Sequence, residues 1–97
     1  MANKREAHNH LYKCLGQVIS MRRKRLKLTQ DELAAESGVN RAFISNIEQG
    51  RRNPSIGAVA SIAKGLRTRV SKMMAKCEEC QLVKKEDVSP EEEEESA

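Results

Sequence analysis

The sequence predicts an all-α fold of five helices, and three observations support this class. Aromatic residues are almost absent, with one Tyr, one Phe and no Trp among 97 residues, which favours close helix packing over a sheet. Apolar residues recur at spacings of three and four along most of the chain, as they do on one face of a helix. Thr29, Asn40 and Ser55 each precede such a segment, at the position of a helix N-cap.

The first helix is predicted from an apolar stripe that ends in a basic cluster. The stripe consists of Leu11, Cys14, Leu15, Val18, Ile19 and Leu26. The cluster consists of Arg22, Arg23, Lys24, Arg25 and Lys27. Residues 1–9 are polar, and we expect them to form a flexible N-terminus.

The next two helices are predicted from their caps. Thr29, with Glu32 three residues later, has the capping-box pattern, in which each side chain accepts a hydrogen bond from the other residue's backbone N–H. The helix is expected to end at Gly38, where the turn is left-handed and a side chain is predicted to clash or to strain the backbone. Asn40 is the predicted cap of the third helix, which runs through Gln49.

The last two helices follow a polar loop. Ser55 is the predicted cap of the fourth, whose apolar stripe consists of Val59, Ile62, Ala63 and Leu66. Thr68 is the predicted cap of the fifth, whose apolar face consists of Val70, Met73, Met74 and Cys77. One domain is therefore expected over residues 10–80. Residues 81–97 include the Glu91–Glu95 run and are expected to form an acidic, disordered tail.

The net charge of +4 conceals a strong asymmetry. Residues 1–76 hold 16 Lys and Arg against five acidic residues, whereas residues 77–97 hold two against nine. A basic body of this kind is typical of a protein with a polyanionic partner. No apolar run approaches the roughly 20 residues that span a bilayer, and the polar N-terminus lacks the apolar stretch of a signal peptide. We expect a cytoplasmic, nucleoid-associated protein.

Residues 30–49 separate an inward apolar set from an outward polar set. Leu33, Val39, Ile44 and Ile47 are expected to face the core, and Ala34 is small where the two helices meet. The outward set consists of Asn40, Arg41, Ala42, Ser45, Asn46 and Gln49. Such short or hydrogen-bonding side chains suit base edges in the DNA major groove, which is wide enough to admit a helix.

Three ordered segments make a family resemblance specific: LTQDELA, SGVNRAFISNIEQGRRNPS and IAKGL. Together they resemble the Cro/repressor-type (XRE-like) helix-turn-helix family over about residues 15–74. The resemblance implies a compact five-helix, lambda-repressor-like DNA-binding domain. This chain departs from the family pattern at Lys27, where the family often has Gly, and at Arg67 and Arg69, which replace the usual Gly and Ser.

The resemblance also implies a set of DNA-contacting residues. The implied base-reading residues are Gln30, Asn40, Arg41, Ala42, Ser45 and Asn46. The implied phosphate-binding residues are Arg22, Arg23, Thr29, Arg51, Arg52 and Asn53. Glu48 matches a family Glu that serves the fold through a buried polar contact, and it is not assigned to the DNA face.

These features predict a sequence-specific transcriptional regulator that binds double-stranded DNA as a homodimer on a pseudo-palindromic operator. The predicted dimer interface consists of Leu66, Val70, Met73 and Met74. A controller of a restriction–modification operon is one specific form, with RNA polymerase as a further candidate partner. The alternatives are an antitoxin that also binds its own promoter and a nucleoid protein without sequence preference.

The remaining motifs do not indicate an enzyme, a cofactor or a metal site. The chain shows no catalytic triad, phosphate-binding loop or nucleotide fingerprint. Cys77 and Cys80 have the spacing of a zinc half-site, which His8, His10 and Cys14 would have to complete. An odd cysteine count fits a reducing compartment. Because Cys14 and Cys77 lie on apolar stripes, structural thiols are preferred over zinc binding or redox sensing. The acidic tail is expected to be solvated, with folding over the basic DNA face as the alternative.

Overall fold

The computed structural model describes residues 4–86, and the side chains of residues 8–80. Five helices and no strand occur in this part of the chain, which confirms the all-α prediction. The helices are α1 (Lys4–Arg25), α2 (Gln30–Ser37), α3 (Arg41–Glu48), α4 (Ile56–Gly65) and α5 (Val70–Glu86). None of them combines the length and apolarity that a bilayer crossing requires.

The outer ends of α1 and α5 extend past the boundaries expected from the apolar pattern. α1 begins at Lys4, although the stripe begins at Leu11, because the polar residues before it contain no Pro or Gly that would stop a helix. α5 continues to Glu86, past the expected domain end at residue 80. The remainder of the predicted acidic tail, residues 87–97, lies outside the described residues, as does the alternative that it covers the DNA face.

The predicted caps of α2, α3 and α4 are confirmed. Thr29 Oγ1 accepts a hydrogen bond from the Glu32 backbone N–H at 3.0 Å, and Glu32 Oε1 accepts one from the Thr29 backbone N–H at 2.8 Å. The Asn40 and Ser55 side chains each accept a hydrogen bond from the backbone N–H three residues later, at 3.0 and 3.1 Å. These bonds satisfy N–H groups that have no partner inside the helix.

The predicted cap of α5 was wrong by one residue. α5 begins at Val70, and the Arg69 carbonyl accepts the first helical hydrogen bond, from the Met73 N–H at 3.0 Å. Thr68 instead belongs to the end of α4, because its backbone N–H donates to the Ala63 carbonyl at 3.0 Å. The tight turn between α4 and α5 therefore uses Thr68 to terminate one helix rather than to start the next.

Four of the described residues adopt the left-handed conformation, namely Lys27, Gly38, Gly50 and Arg67. Gly38 has φ of +73° and ends α2, as predicted, but a Cβ there would meet nothing within 4 Å. The expected clash is therefore absent, and backbone strain alone favours glycine. Lys27 and Arg67, the two departures from family glycines, have φ of +60° and +57°. The turns keep their shape without glycine, at a cost of about 1–2 kcal/mol each.

The core draws on all five helices. The buried apolar residues are Cys14, Leu15, Ile19, Leu33, Ile44, Ile47, Val59, Ile62, Ala63, Leu66, Met73 and Cys77. Ala34 and Val39 are partly buried and pack against this cluster. The inward positions predicted for the helix-turn-helix and for α4 are thus confirmed.

Cys14 is not the free structural thiol that the sequence predicted. Cys14 of α1 and Cys80 of α5 form a disulfide across 66 residues, with their Cα atoms 5.9 Å apart. Only Cys77 is a free thiol in the described part of the chain. It is fully buried, and burial, with a smaller contribution from Glu78, raises its pKa to about 11. The expectation of structural thiols holds for Cys77 alone.

Gly16 sets the close approach of α1 to α3. A Cβ built at Gly16 would overlap the Ile47 carbonyl oxygen and lie 2.7 Å from the Glu48 carbonyl oxygen. Both obstacles are backbone atoms of the last turn of α3, which have little freedom to move aside. Gly16 therefore determines how closely α3 packs on α1.

We predict that Gly16→Ala lowers the free energy of unfolding by about 1–3 kcal/mol, because overpacking forces the two helices apart. Gly57→Ala is the matched control. Its added Cβ would meet only Ser55 Oγ, at 3.8 Å, so stability should be unchanged or rise by up to about 1 kcal/mol. Urea unfolding followed by circular dichroism measures both. Equal stabilities of the two variants would contradict the proposed contact.

Candidate nucleic-acid interface

A partly buried polar network joins α1, α2 and α3. Arg23 Nε and Nη2 donate to Glu48 Oε2 and Oε1 at 2.7 and 3.0 Å, which makes a bidentate ion pair. The side chains of Arg23 and Glu48 are 12% and 7% exposed. Gln30 Nε2 donates to the same Glu48 Oε1 at 3.1 Å, and Arg23 Nη1 donates to the Leu28 carbonyl at 2.8 Å.

This network confirms the structural role expected for Glu48. Charge-assisted bidentate bonds are stronger than neutral hydrogen bonds and have a fixed geometry. The hydrogen bonds to Glu48 hold the pKa of Arg23 above its usual value, although burial acts in the opposite direction. The pair fixes the last residue of α3 against α1 and the first residue of α2.

The contacts of Arg22 and Arg23 are inconsistent with the predicted role of these residues in binding DNA phosphates. Arg23 is held by Glu48, and Arg22 donates from Nε to the Leu66 carbonyl at 3.0 Å and from Nη2 to the Arg67 carbonyl at 3.2 Å. Arg22 thus satisfies carbonyl groups left free at the end of α4. Nothing in the sequence distinguishes the five residues of the basic cluster, but α1 orients Arg22 and Arg23 towards the rest of the domain.

The start of α3 is open to solvent, as predicted. Asn40, Arg41 and Ala42 are exposed, whereas Ser45 and Asn46, one turn later, are half-buried. The Asn40 side-chain oxygen Oδ1 accepts the capping hydrogen bond from the Phe43 N–H, so the side-chain amide N–H groups remain available to a ligand.

The start of α2 lies beside the start of α3. Arg41 Nε lies 3.3 Å from Asp31 Oδ1, with side chains 63% and 79% exposed. So exposed a pair contributes little stability, but it places the Arg41 guanidinium next to α2. Gln30, at the first turn of α2, is half-buried and oriented by Glu48. Gln30 and Arg41 therefore belong to one continuous surface.

The segment after α3 carries the remaining predicted phosphate ligands. Arg51, Arg52 and Asn53 are all exposed. The Arg52 guanidinium carbon lies 5.6 Å from the centre of the Phe43 ring, within the range of a cation–π contact. This contact was not predicted. Thr29 uses its oxygen as the α2 cap, which leaves its hydroxyl hydrogen free to donate.

The predicted dimer surface has to be reduced to two residues. Leu66 and Met73 are 0% and 2% exposed because they pack inside this chain's own core, so a partner has almost no surface of theirs to cover. Val70 and Met74 are half-buried on α5 and pack against the edge of the core. The apolar face of α5 is thus divided between the core and the surface.

Comparisons with known proteins agree with this geometry. The helix-turn-helix family matches residues 19–72. The immunity repressor protein of Bacillus phage phi105 is 39% identical over 57 residues, which are 59% of this chain and 40% of the repressor. The control protein C.SmaI of Serratia marcescens is 35% identical over 49 residues, which are 50% of this chain and 58% of C.SmaI. This chain therefore spans only part of each relative's length.

Among solved structures, the restriction–modification controller protein C.Esp1396I, as a tetramer in complex with its natural 35-base-pair operator, superimposes with a TM-score of 0.69. It is 30% identical, and the alignment covers 74% of this chain and 95% of that chain. Since the family match extends over more than half of the 97 residues, this chain belongs to the helix-turn-helix family.

Proposed function

We propose that this protein is a sequence-specific DNA-binding transcriptional regulator that acts as a homodimer on a pseudo-palindromic operator. The main observation behind the proposal is that α3 has a buried inner side and an exposed first turn. Its inner side chains, Ile44 and Ile47, are buried, and its last residue, Glu48, is fixed in the polar network. Its first turn projects Arg41 and Ala42 into solvent, as expected of a helix that enters the major groove.

Base reading is assigned to the residues around the start of α3. Arg41 has the geometry to bind guanine through two hydrogen bonds, and Gln30 or Asn46 to bind adenine. Glu48 uses one N–H of the Gln30 amide, which leaves the other N–H and the carbonyl oxygen for a base. Asn40, Ala42 and Ser45 complete the assigned surface. The fixed amide orientation of Gln30 reduces the entropy lost on binding.

We assign the affinity for DNA to the exposed cationic and hydrogen-bond-donating residues beside this surface. Arg51, Arg52 and Asn53 follow α3, and Thr29 precedes α2. Cations that neutralise phosphates release counterions, which stabilises binding without reading sequence. The contact of Arg52 with Phe43 holds this guanidinium against the side of α3, where it is available to a phosphate.

We assign the homodimer interface to α5, with Val70 and Met74 as its apolar contacts. A single small domain offers few base contacts, and two-fold symmetry doubles them. Half-sites about one helical turn apart, roughly 34–36 Å, would then face the two α3 helices.

We further propose control of a restriction–modification operon, with RNA polymerase as a partner and the nucleoid as the site of action, and no catalytic activity. The likeness to C.SmaI and to C.Esp1396I supports this form. The neighbouring genes provide the test. A restriction endonuclease or methyltransferase gene supports it, whereas a small toxin gene would favour the antitoxin alternative.

Substitutions of Arg41 and Arg52 should separate base reading from phosphate binding. Arg41→Ala should cost about 1–3 kcal/mol on the operator and relax specificity at one base pair. Arg52→Ala should weaken binding to all sequences alike and reduce the slope of log affinity against log salt by about one. Fluorescence anisotropy with operator and random duplexes, at several salt concentrations, measures both.

The control for this pair is Lys76→Ala, which removes an exposed cation from α5 and should leave specificity unchanged. If Arg41→Ala and Arg52→Ala had the same effect on operator and random DNA, direct base reading by Arg41 would be wrong.

Loss of the Glu48 charge should destabilise the domain. Glu48→Gln keeps the side-chain volume but removes a charged acceptor from Arg23, and we expect a loss of about 1.5–3 kcal/mol in the free energy of unfolding. Glu36→Gln changes an exposed carboxylate on α2 and should stay within about 0.5 kcal/mol of wild type. Urea unfolding distinguishes them, and equal effects would refute the stabilising role of the network.

Dimer formation should depend on the half-buried apolar residues of α5. Met74→Lys places a charge in the proposed interface and should shift the protein from dimer to monomer in sedimentation at tens of micromolar, since desolvating an unpaired charge is costly. Ile56→Lys is the control, because Ile56 is 71% exposed at the opposite end of α4. A monomeric wild-type protein at that concentration would disprove the α5 interface.

A further inference from the structure

We propose that His10, Cys14 and Cys80 form a binding site for Zn²⁺, or a similar divalent cation that accepts thiolate ligands, when the Cys14–Cys80 disulfide is reduced. The ligand atoms of these three residues, one from each, all lie within 4.8 Å of one another. They come from α1 and α5, the first and last helices. The site is separate from the start of α3 and needs no DNA.

The two α1 ligands already have the separation of a zinc site. His10 and Cys14 are four residues apart and so lie on one helix face, with His10 Nε2 3.5 Å from Cys14 Sγ. Zn–S and Zn–N bonds of about 2.3 and 2.05 Å at a tetrahedral angle put sulfur and nitrogen about 3.6 Å apart. The helix therefore holds this pair at about the separation that one metal ion requires.

The third ligand approaches from α5. The Cα atoms of Cys14 and Cys80 are 5.9 Å apart, and two thiolates on one zinc ion are about 3.8 Å apart at their sulfur atoms. Once the disulfide is broken, rotation of the two side chains is enough to reach this separation while the helices keep their positions. Cys80 Sγ also lies 3.9 Å from Gln17 Oε1, which places one further polar atom beside the site.

The donor set specifies the chemistry. Two thiolates and one imidazole favour Zn²⁺ over Mg²⁺ or Ca²⁺, which take oxygen ligands. Three protein ligands leave one tetrahedral position for water. Cys77 does not belong to this set, because its thiol is not among the ligand atoms that lie together. Of the two cysteines in the C-x-x-C pattern, the site therefore uses only Cys80, and His10 and Cys14 of α1 supply the other two ligands.

Metal binding and the disulfide exclude each other. With a low-molecular-weight disulfide as oxidant, the Cys14 and Cys80 thiolates together lose two electrons and form the Cys14–Cys80 bond. The reagent's own sulfur–sulfur bond breaks and gains those electrons, which yields two thiolates, and Zn²⁺ is released. The oxidised structure and the metal-bound form are thus two states of one site.

The test is metal binding by the full chain after reduction with a phosphine and removal of metal with a chelator. Cobalt(II) titration should show one equivalent bound, with an intense thiolate-to-metal charge-transfer band. Zn²⁺ competition with a chromophoric chelator gives the affinity. Cys80→Ala and His10→Ala should each weaken binding at least about 10–100-fold, since even residues that only support a ligand cost that much.

Cys77→Ala and His8→Ala are the matched controls, because each removes the same residue type from the same helix but outside the cluster. Both should bind as the wild type does, and circular dichroism confirms that every variant is folded. Three results would overturn the proposal: no stoichiometric metal in the reduced wild type, equal losses in Cys77→Ala and Cys80→Ala, or undiminished binding by the oxidised protein.

Discussion

The ion pair between Arg23 and Glu48 is the interaction on which the rest of the interface depends. It holds the last residue of α3 against α1, and through the shared Glu48 carboxylate it also holds Gln30 at the start of α2. A carboxylate at the C-terminal end of a helix is unfavourable for the helix dipole, and Arg23 offsets this effect. Gly16 contributes in the same place, since it lets α1 approach the carbonyl groups of Ile47 and Glu48.

Fixing one end of α3 leaves the other end free to bind. The buried side chains of α3 lie in its middle and last turn, and its first turn, with Arg41 and Ala42, is exposed beside the first turn of α2. Arg52 follows the other end in sequence, and its guanidinium lies over the Phe43 ring of α3. The flanking cations can bind DNA phosphates and so fix the position of the rigid helix along the DNA. A few side chains of its exposed first turn can then read bases.

Local features were predictable because their causes lie within a few residues of sequence. The caps at Thr29, Asn40 and Ser55 are three-residue patterns, and the buried stripes follow the helical period, so both were confirmed. The partners of Arg22 and Arg23 lie 44 and 25 residues away, and no local pattern distinguishes these arginines from Arg25. The same holds for Cys14 and Cys80, whose pairing depends on how α1 packs on α5. Leu66 and Met73 were assigned to a dimer because an apolar stripe does not reveal which of its members the chain itself buries.

The central claim is that a fixed α3 reads base sequence from two symmetric half-sites. The most direct measurement is selection of bound sequences from a random duplex pool, followed by footprinting of the selected DNA. Base reading by two symmetric α3 helices predicts one enriched motif with two-fold symmetry and half-sites about one helical turn apart. A pool without enrichment, bound with an affinity that depends on salt and not on sequence, would contradict it.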